Sequence, residues 1–214
     1  MNNLTRWSFS SLQDFEKCKF AWSHRKIHNT PEPDNKYLVR GSAIHGVAED
    51  YLNSKLDELP DYMGKFSTEF ANLRKHNAVA EEQLCLTKEW QHVPDGWDHP
   101  DTWLRAKTDA RVDNYVVDFK TGNWYDYHKD QANLYALALM SIHDFDEVNV
   151  EFWYLDSGAV ATYDFDRLHF NSSIDSWTAR AERMLTATEF EPTEHKYCNY
   201  CYVKNLCPIF SKKT

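Results

Sequence analysis

The chain has 214 residues, enough for a single domain with its own core. Its formal net charge of −9 argues against a protein coated in basic surface for tight nonspecific DNA binding, although cation-holding carboxylates and a local basic groove both fit that total. No stretch approaches the roughly 18 apolar residues of a membrane helix, and the first residues lack a signal-peptide core, so a cytoplasmic protein without a membrane partner is expected.

In chain order, a first helix is expected from Ser10, where Ser10 and Gln13 form a capping box and Leu12, Phe15, Lys19 and Trp22 recur at helical spacing. A stronger helix is expected over 42–59, because Ile44, Val47, Ala48, Tyr51, Leu52, Leu56 and Leu59 form one apolar stripe. Another follows near 62–77. The period then changes. Segments near 82–92, 103–112 and 115–120 favour strands, followed by a helix near 129–143. Strands 148–155 and 159–165 are joined by the turn residues Asp156-Ser157-Gly158, and a long helix over 168–190 leads into a cysteine-rich tail. The whole reads as a mixed α/β arrangement.

The five cysteines are an odd number, and three of them crowd into the last seventeen residues. In a chain expected to be cytoplasmic, such clustering reads as metal ligation before disulfides. Cys85, between Leu84 and Leu86, reads as plain core.

The segment carrying most chemistry is Asp109-Ala-Arg-Val-Asp113-Asn114-Tyr-Val-Val-Asp118-Phe-Lys120-Thr-Gly122. Asp113-Asn114 suits a two-residue hairpin turn, since both tolerate positive φ. In that register Asp109 faces Asp118, Lys120 follows on the same face, and Thr108, Ala110, Val112, Tyr115, Val117 and Phe119 form the buried face. Two directly opposed carboxylates repel unless a cation lies between them, and Mg²⁺ or Mn²⁺ prefers such hard oxygen ligands. The alternative is an ordinary solvated hairpin, with Arg105, Lys107 and Arg111 neutralising the aspartates through cross-strand ion pairs.

Asp109 followed by Asp118-Phe-Lys120-Thr-Gly resembles the Asp…Asp-x-Lys-Thr-Gly signature of the RecB-type nucleases of the PD-(D/E)XK superfamily. Three more segments stand in that family's order: Gly41-Ser-Ala-Ile-His45, Gln131-Ala-Asn-Leu-Tyr135, and the N-terminal Ser8-Phe-Ser-Ser-Leu-Gln-Asp-Phe-Glu-Lys-Cys18. By pattern the chain is most similar to the iron–sulfur exonucleases of this group, including those associated with CRISPR loci and similar phage enzymes. Phe15 stands where Tyr is frequent, Lys19 where Pro often follows the first Cys, and the Asp109–Asp118 interval is shorter than in many members.

The resemblance implies a restriction-endonuclease-like core, a mixed sheet flanked by helices, within one nuclease domain over 1–214. Segments 1–26 and 191–214 would form a cysteine-cluster substructure. It implies that His45, Asp109, Asp118 and the Phe119 carbonyl hold Mg²⁺ or Mn²⁺, that Lys120 is the catalytic lysine, and that Gln131 and Tyr135 position the DNA or the lysine. Glu49, Glu81 and Glu82 are candidates for one further carboxylate, and spacing does not choose among them. Cys18, Cys198, Cys201 and Cys207 would bind a [4Fe–4S] cluster, with structural zinc and unrelated thiols as the alternatives. The implied activity is metal-dependent exonuclease cleavage of single-stranded or end-frayed DNA. A non-catalytic DNA-binding or assembly module is the rival, and electron transfer a weaker third. Protein partners in recombination, phage DNA processing or CRISPR adaptation, and an oligomer, stay open.

Overall fold

A computed structural model describes residues 4–211. They fall into two compact units, one combining 4–34 with 174–211 and the other running over Asn35–Ser173. No helix among the described residues is long and apolar enough to cross a membrane.

The Asn35–Ser173 unit is built on a five-stranded mixed sheet in the order β1 (Val79–Leu86), β2 (Leu104–Val112), β3 (Tyr115–Lys120), β4 (Glu147–Tyr154) and β5 (Ala159–Asp166). Neighbours are antiparallel except β3 and β4, which are parallel. A parallel pair needs a long crossover. Helix α5 (Tyr127–His143) supplies it, and every residue from Leu134 to Met140 is buried, as expected of a helix apolar all round. Asp144 ends α5 in the left-handed conformation, and Arg167 donates to the Met140 and Phe145 carbonyls there. A second apolar layer joins Ile44, Ala48, Tyr51 and Leu52 of α3 (Lys36–Leu52) and Phe70 and Leu73 of α4 (Ser67–Lys75) to Ala110, Val117, Phe119 and Trp153 of the sheet.

Several boundaries differ from the sequence reading. Helix α3 starts and ends six or seven residues earlier than the apolar stripe suggests. The Asn35 side chain caps it by accepting from Tyr37 N, and Ser54 at φ +58° breaks it. Leu56 and Leu59 still pack against the same core from outside the helix, which is why they kept the stripe's period. The expected 62–77 helix divides into a 3₁₀ segment (Asp61–Phe66) and α4. Strand β1 lies earlier than 82–92, and Trp90 turns at φ +59° beyond its end.

The Asp113-Asn114 turn forms as a two-residue loop between paired Val112 and Tyr115, with Asp113 alone of the two at positive φ. The one-sided hairpin does not form. β4 pairs with the far edge of β3, so Val116, Val117, Asp118 and Phe119 are all buried. In the β4–β5 loop Gly158 takes φ +81°, the conformation that favours glycine.

In the other unit, Ser8 rather than Ser10 caps α1 (Phe9–Lys17), its hydroxyl accepting from Ser11 N. Cys18 is extended (φ −162°, ψ 104°) and separates α1 from α2 (Lys19–Lys26), so the helical spacing through Trp22 spans two helices. Leu12, Phe15 and Trp22 are buried, with Trp22 Nε1 donating to Ser11 Oγ at 3.1 Å. Helix α6 (Phe170–Leu185) is shorter than the expected 168–190, and its Trp177 stacks on Trp7. Cys198 opens a 3₁₀ turn, a second spans Lys204–Leu206, and α7 (Pro208–Ser211) follows Cys207.

Candidate functional site

The β2–β3 pairing of Ala110 with Val117 and Arg111 with Val116 places Asp109 opposite Asp118, one step beyond the last paired residues. On the other edge of β2, Ala80 pairs with Ala110 and Glu82 with Thr108, so Glu81 stands opposite Asp109. Three acidic positions thus lie side by side across three strands. Glu81 holds φ +53° inside a strand, a conformation costing a non-glycine residue about 1–3 kcal/mol.

The two aspartates are 6 % and 3 % exposed. Taking an ionised carboxylate out of water costs several kcal/mol, so each needs specific partners. Asp109 accepts from Phe119 N through Oδ2 at 2.5 Å, and its Oδ1 lies 3.0 Å from His45 Nδ1 of α3. Asp118 is served from α5: Tyr135 Oη donates to Oδ2 at 2.8 Å and Gln131 Nε2 at 3.3 Å. Lys120 Nζ lies 2.5 Å from Asp118 Oδ1 without hydrogen-bond alignment, and donates to Gln131 Oε1 at 3.0 Å. The Tyr135 hydroxyl also accepts from Gln131 Nε2, which closes the network.

The cations expected to neutralise a solvated hairpin pair with carboxylates other than the two aspartates, Lys107 with Glu81 of the acidic group itself. Arg105 pairs with Asp98, Lys107 with Glu81 and Arg111 with Glu82.

Electrostatics follow from this packing. Burial, then the neighbouring Asp118 charge, push the Asp109 carboxyl up, against the hydrogen bonds from His45 and Phe119. Burial opposes the His45 cation, yet the hydrogen bond to Asp109 and the charges of Asp109, Asp118 and Glu81 hold its pKa above the ordinary value. Burial, then the Asp118 charge, hold the Tyr135 phenol well above its usual range. Burial, then the Lys120 cation, bring His128 down to about 4.

Ligand atoms of His45, Glu81 and Asp109 all lie within 4.8 Å of one another. Hard oxygens with one imidazole form a donor set that fits a divalent cation. Of the three candidates for a further carboxylate, Glu81 is the one grouped with His45 and Asp109, although it also pairs with Lys107. Glu82 is committed to Arg111, and Glu49 lies with His45 and Glu81 along an open cleft of about 460 Å³. Asp118 is gathered by α5 instead of joining that trio, and the Phe119 group engaged with Asp109 is its N–H. Tyr135 is buried with its hydroxyl on Asp118, and Gln131 bears on the lysine.

This arrangement of opposed acids and a lysine two residues on coincides with a family match over residues 6–208, to the PD-(D/E)XK nuclease superfamily. The chain belongs to that superfamily. No curated protein matches it in sequence. Among solved structures it is similar to the crystal structure of SSO0001, with a TM-score of 0.51 and 16 % identity over 98 % of this chain and 89 % of that one. At that identity the likeness concerns the fold. Membership of the PD-(D/E)XK superfamily implies a nuclease using a divalent metal such as Mg²⁺ or Mn²⁺, with DNA as the suggested substrate.

The other sequence-marked group lies in the unit of 4–34 and 174–211, where all four tail-and-helix cysteines are found. Thr193 N donates to Cys18 Sγ at 3.5 Å and His195 N to Cys198 Sγ at 3.2 Å. Burial raises the Cys201 thiol against the opposing hydrogen bond from the Val203 backbone, and the neighbouring Cys18, Cys198 and Cys207 add to the rise. Cys85 is buried in β1, in the other unit.

Proposed function

We propose that this chain is a divalent-metal-dependent deoxyribonuclease of the RecB type, acting as an exonuclease on single-stranded or end-frayed DNA. The supporting observation is the pair of buried, opposed aspartates with Lys120 held beside them by Gln131. A purely structural hairpin has no use for two desolvated like charges.

His45, Glu81 and Asp109 would hold the metal, with Asp118 facing it from the neighbouring strand. When bound, the metal neutralises charge gathering on the scissile phosphate and makes water easier to deprotonate. Lys120 places its ammonium toward the same phosphate oxygens and stabilises the negative charge they gain in the transition state. Gln131 fixes the lysine from one side, and Tyr135 fixes Asp118 from the other. Both are positioning residues.

In the same reading, Cys18, Cys198, Cys201 and Cys207 ligate a [4Fe–4S] cluster. Four thiols within one unit, two accepting backbone N–H bonds, form a donor set suited to such a cluster, whose sulfurs commonly take such bonds.

A nuclease assay on labelled single- and double-stranded DNA, with Mg²⁺, Mn²⁺ or chelator, tests the proposal. Metal-dependent release of nucleotides from ends, lost in Lys120→Ala and Asp118→Ala while both variants melt normally, is the expected result. Near-wild-type cleavage by Asp118→Ala overturns the site. No cleavage under any condition leaves the non-catalytic DNA-binding module as the better description.

A further inference from the structure

The loop that follows Lys120 carries an aromatic group that the cleavage chemistry does not use. Trp124, Tyr125 and Tyr127 are 52 %, 38 % and 40 % exposed. Tyr125 and Tyr127 lie parallel, 5.2 Å apart at 7°, and the buried His128 ring meets both edge-on. His128 is itself fixed by Tyr154, at 2.6 Å, and Trp124 Nε1 donates to Tyr163 Oη at 3.2 Å. The exposed rings are therefore anchored from beneath.

Their position relative to Lys120 is set by α5. Tyr127 and Gln131 are four residues apart on one helix face, a separation of about 6 Å along the axis. Gln131 is the residue that holds Lys120 Nζ. A strand whose phosphate lay at Lys120 would have its neighbouring bases within reach of these rings.

We propose that Trp124, Tyr125 and Tyr127 form a base-stacking platform for single-stranded DNA beside the scissile phosphate; this rests on the nuclease reading above. Unpaired bases offer their faces to aromatic rings, whereas duplex bases are already stacked on one another. Charge alone does not retain such a strand. The chain carries −9 overall, and Asp126 and Asp130 flank the platform, so phosphate attraction alone gives weak retention there. Stacking adds affinity that does not depend on net charge.

The test uses the full chain carrying Lys120→Ala, which allows binding to be measured without cleavage. Anisotropy is recorded with labelled oligo(dT) and with an abasic oligomer of equal length, at about 50 and 200 mM salt. The parent should bind oligo(dT) more tightly than the abasic strand by roughly 5- to 150-fold, the range expected for one stacked base. Trp124→Ala and Tyr127→Ala should lose most of that preference, by a factor nearly equal at both salt concentrations. Trp124→Phe should keep it. Should either alanine variant melt early, Trp124→Leu and Tyr127→Leu, which keep bulk without an aromatic face, replace them.

Equal binding of oligo(dT) by parent and variants overturns the platform and leaves a protein-docking face as the surviving explanation. A loss that vanishes at high salt also overturns it, since the contact would then be electrostatic. The nuclease reading has its own control. Wild-type and Trp124→Phe chains should hydrolyse the p-nitrophenyl ester of thymidine 5′-monophosphate, which has no neighbouring bases. Failure there and on DNA sinks the nuclease reading, while the binding comparison still reports on the platform.

Discussion

Tyr135 Oη donates to Asp118 Oδ2 across 2.8 Å, from a ring only 5 % exposed. The tyrosine thus bears directly on the carboxylate. A hydrogen bond to a charged group contributes about 1.5–3 kcal/mol, so Tyr135→Phe should lower cleavage roughly 10- to 100-fold. The metal concentration for half-maximal rate should rise, because a loosened Asp118 faces the cation less well. Titrating activity against Mg²⁺ checks this. An unchanged metal requirement would show that the contact is incidental.

Glu81 differs from Glu49 and Glu82 in both backbone and placement. Its left-handed φ of +53° brings its carboxylate within 4.8 Å of the His45 and Asp109 ligand atoms. Glu81→Gln should weaken metal binding by calorimetry, whereas Glu82→Gln should mainly loosen the Arg111 pair. Glu81→Gly separates function from strain. Without metal it should be more stable than Glu81→Ala by about 1 kcal/mol, since both lose the carboxylate and its Lys107 pair but only glycine accepts positive φ, while both impair metal binding. A Glu81→Gly protein less stable than Glu81→Ala without metal would contradict the strain argument.

His128 gives a pH signature. Its folded pKa of about 4 lies below the ordinary 6.5, through burial and the Lys120 cation. Between those values the unfolded chain binds a proton that the folded chain does not. This contribution to stability is complete above about 6.5 and is lost as pH falls toward about 4. Urea unfolding at pH 7.0 and pH 4.5 should therefore show a smaller loss for His128→Gln than for wild type. An imidazole titrating near 6.5 by NMR would refute the assignment.

Cys18 and Cys85 are both buried but should behave differently. Cys85→Ala leaves a small void in β1, at a cost of about 1 kcal/mol. Cys18→Ala removes one of four proposed ligands and with it the cross-link between the N-terminal helices and the tail, a larger loss. Protein purified without oxygen should be brown, with iron found by metal analysis in wild type and diminished in Cys18→Ala. One zinc and no colour would replace the cluster while keeping the cross-link. Neither metal, with Cys18→Ala as stable as wild type, would remove both.

The local chemistry was legible in the chain itself. The Asp113-Asn114 turn fixes the register between two strands, and that register alone opposes Asp109 to Asp118. The spacing of Gln131 and Tyr135 likewise places them on one helix face before any packing is known. Helix limits were less legible, because Leu56 and Leu59 keep the apolar period of α3 after Ser54 has ended it. Long-range partners left no local mark. Glu81 meets Asp109 only because β1 pairs with β2 in the register that sets Ala80 against Ala110 and Glu82 against Thr108. Asp118 meets Tyr135 only because α5 crosses over β3 on its way to β4. Hairpin register depends on a turn of two residues, whereas these contacts depend on how whole elements bury their apolar faces against one another.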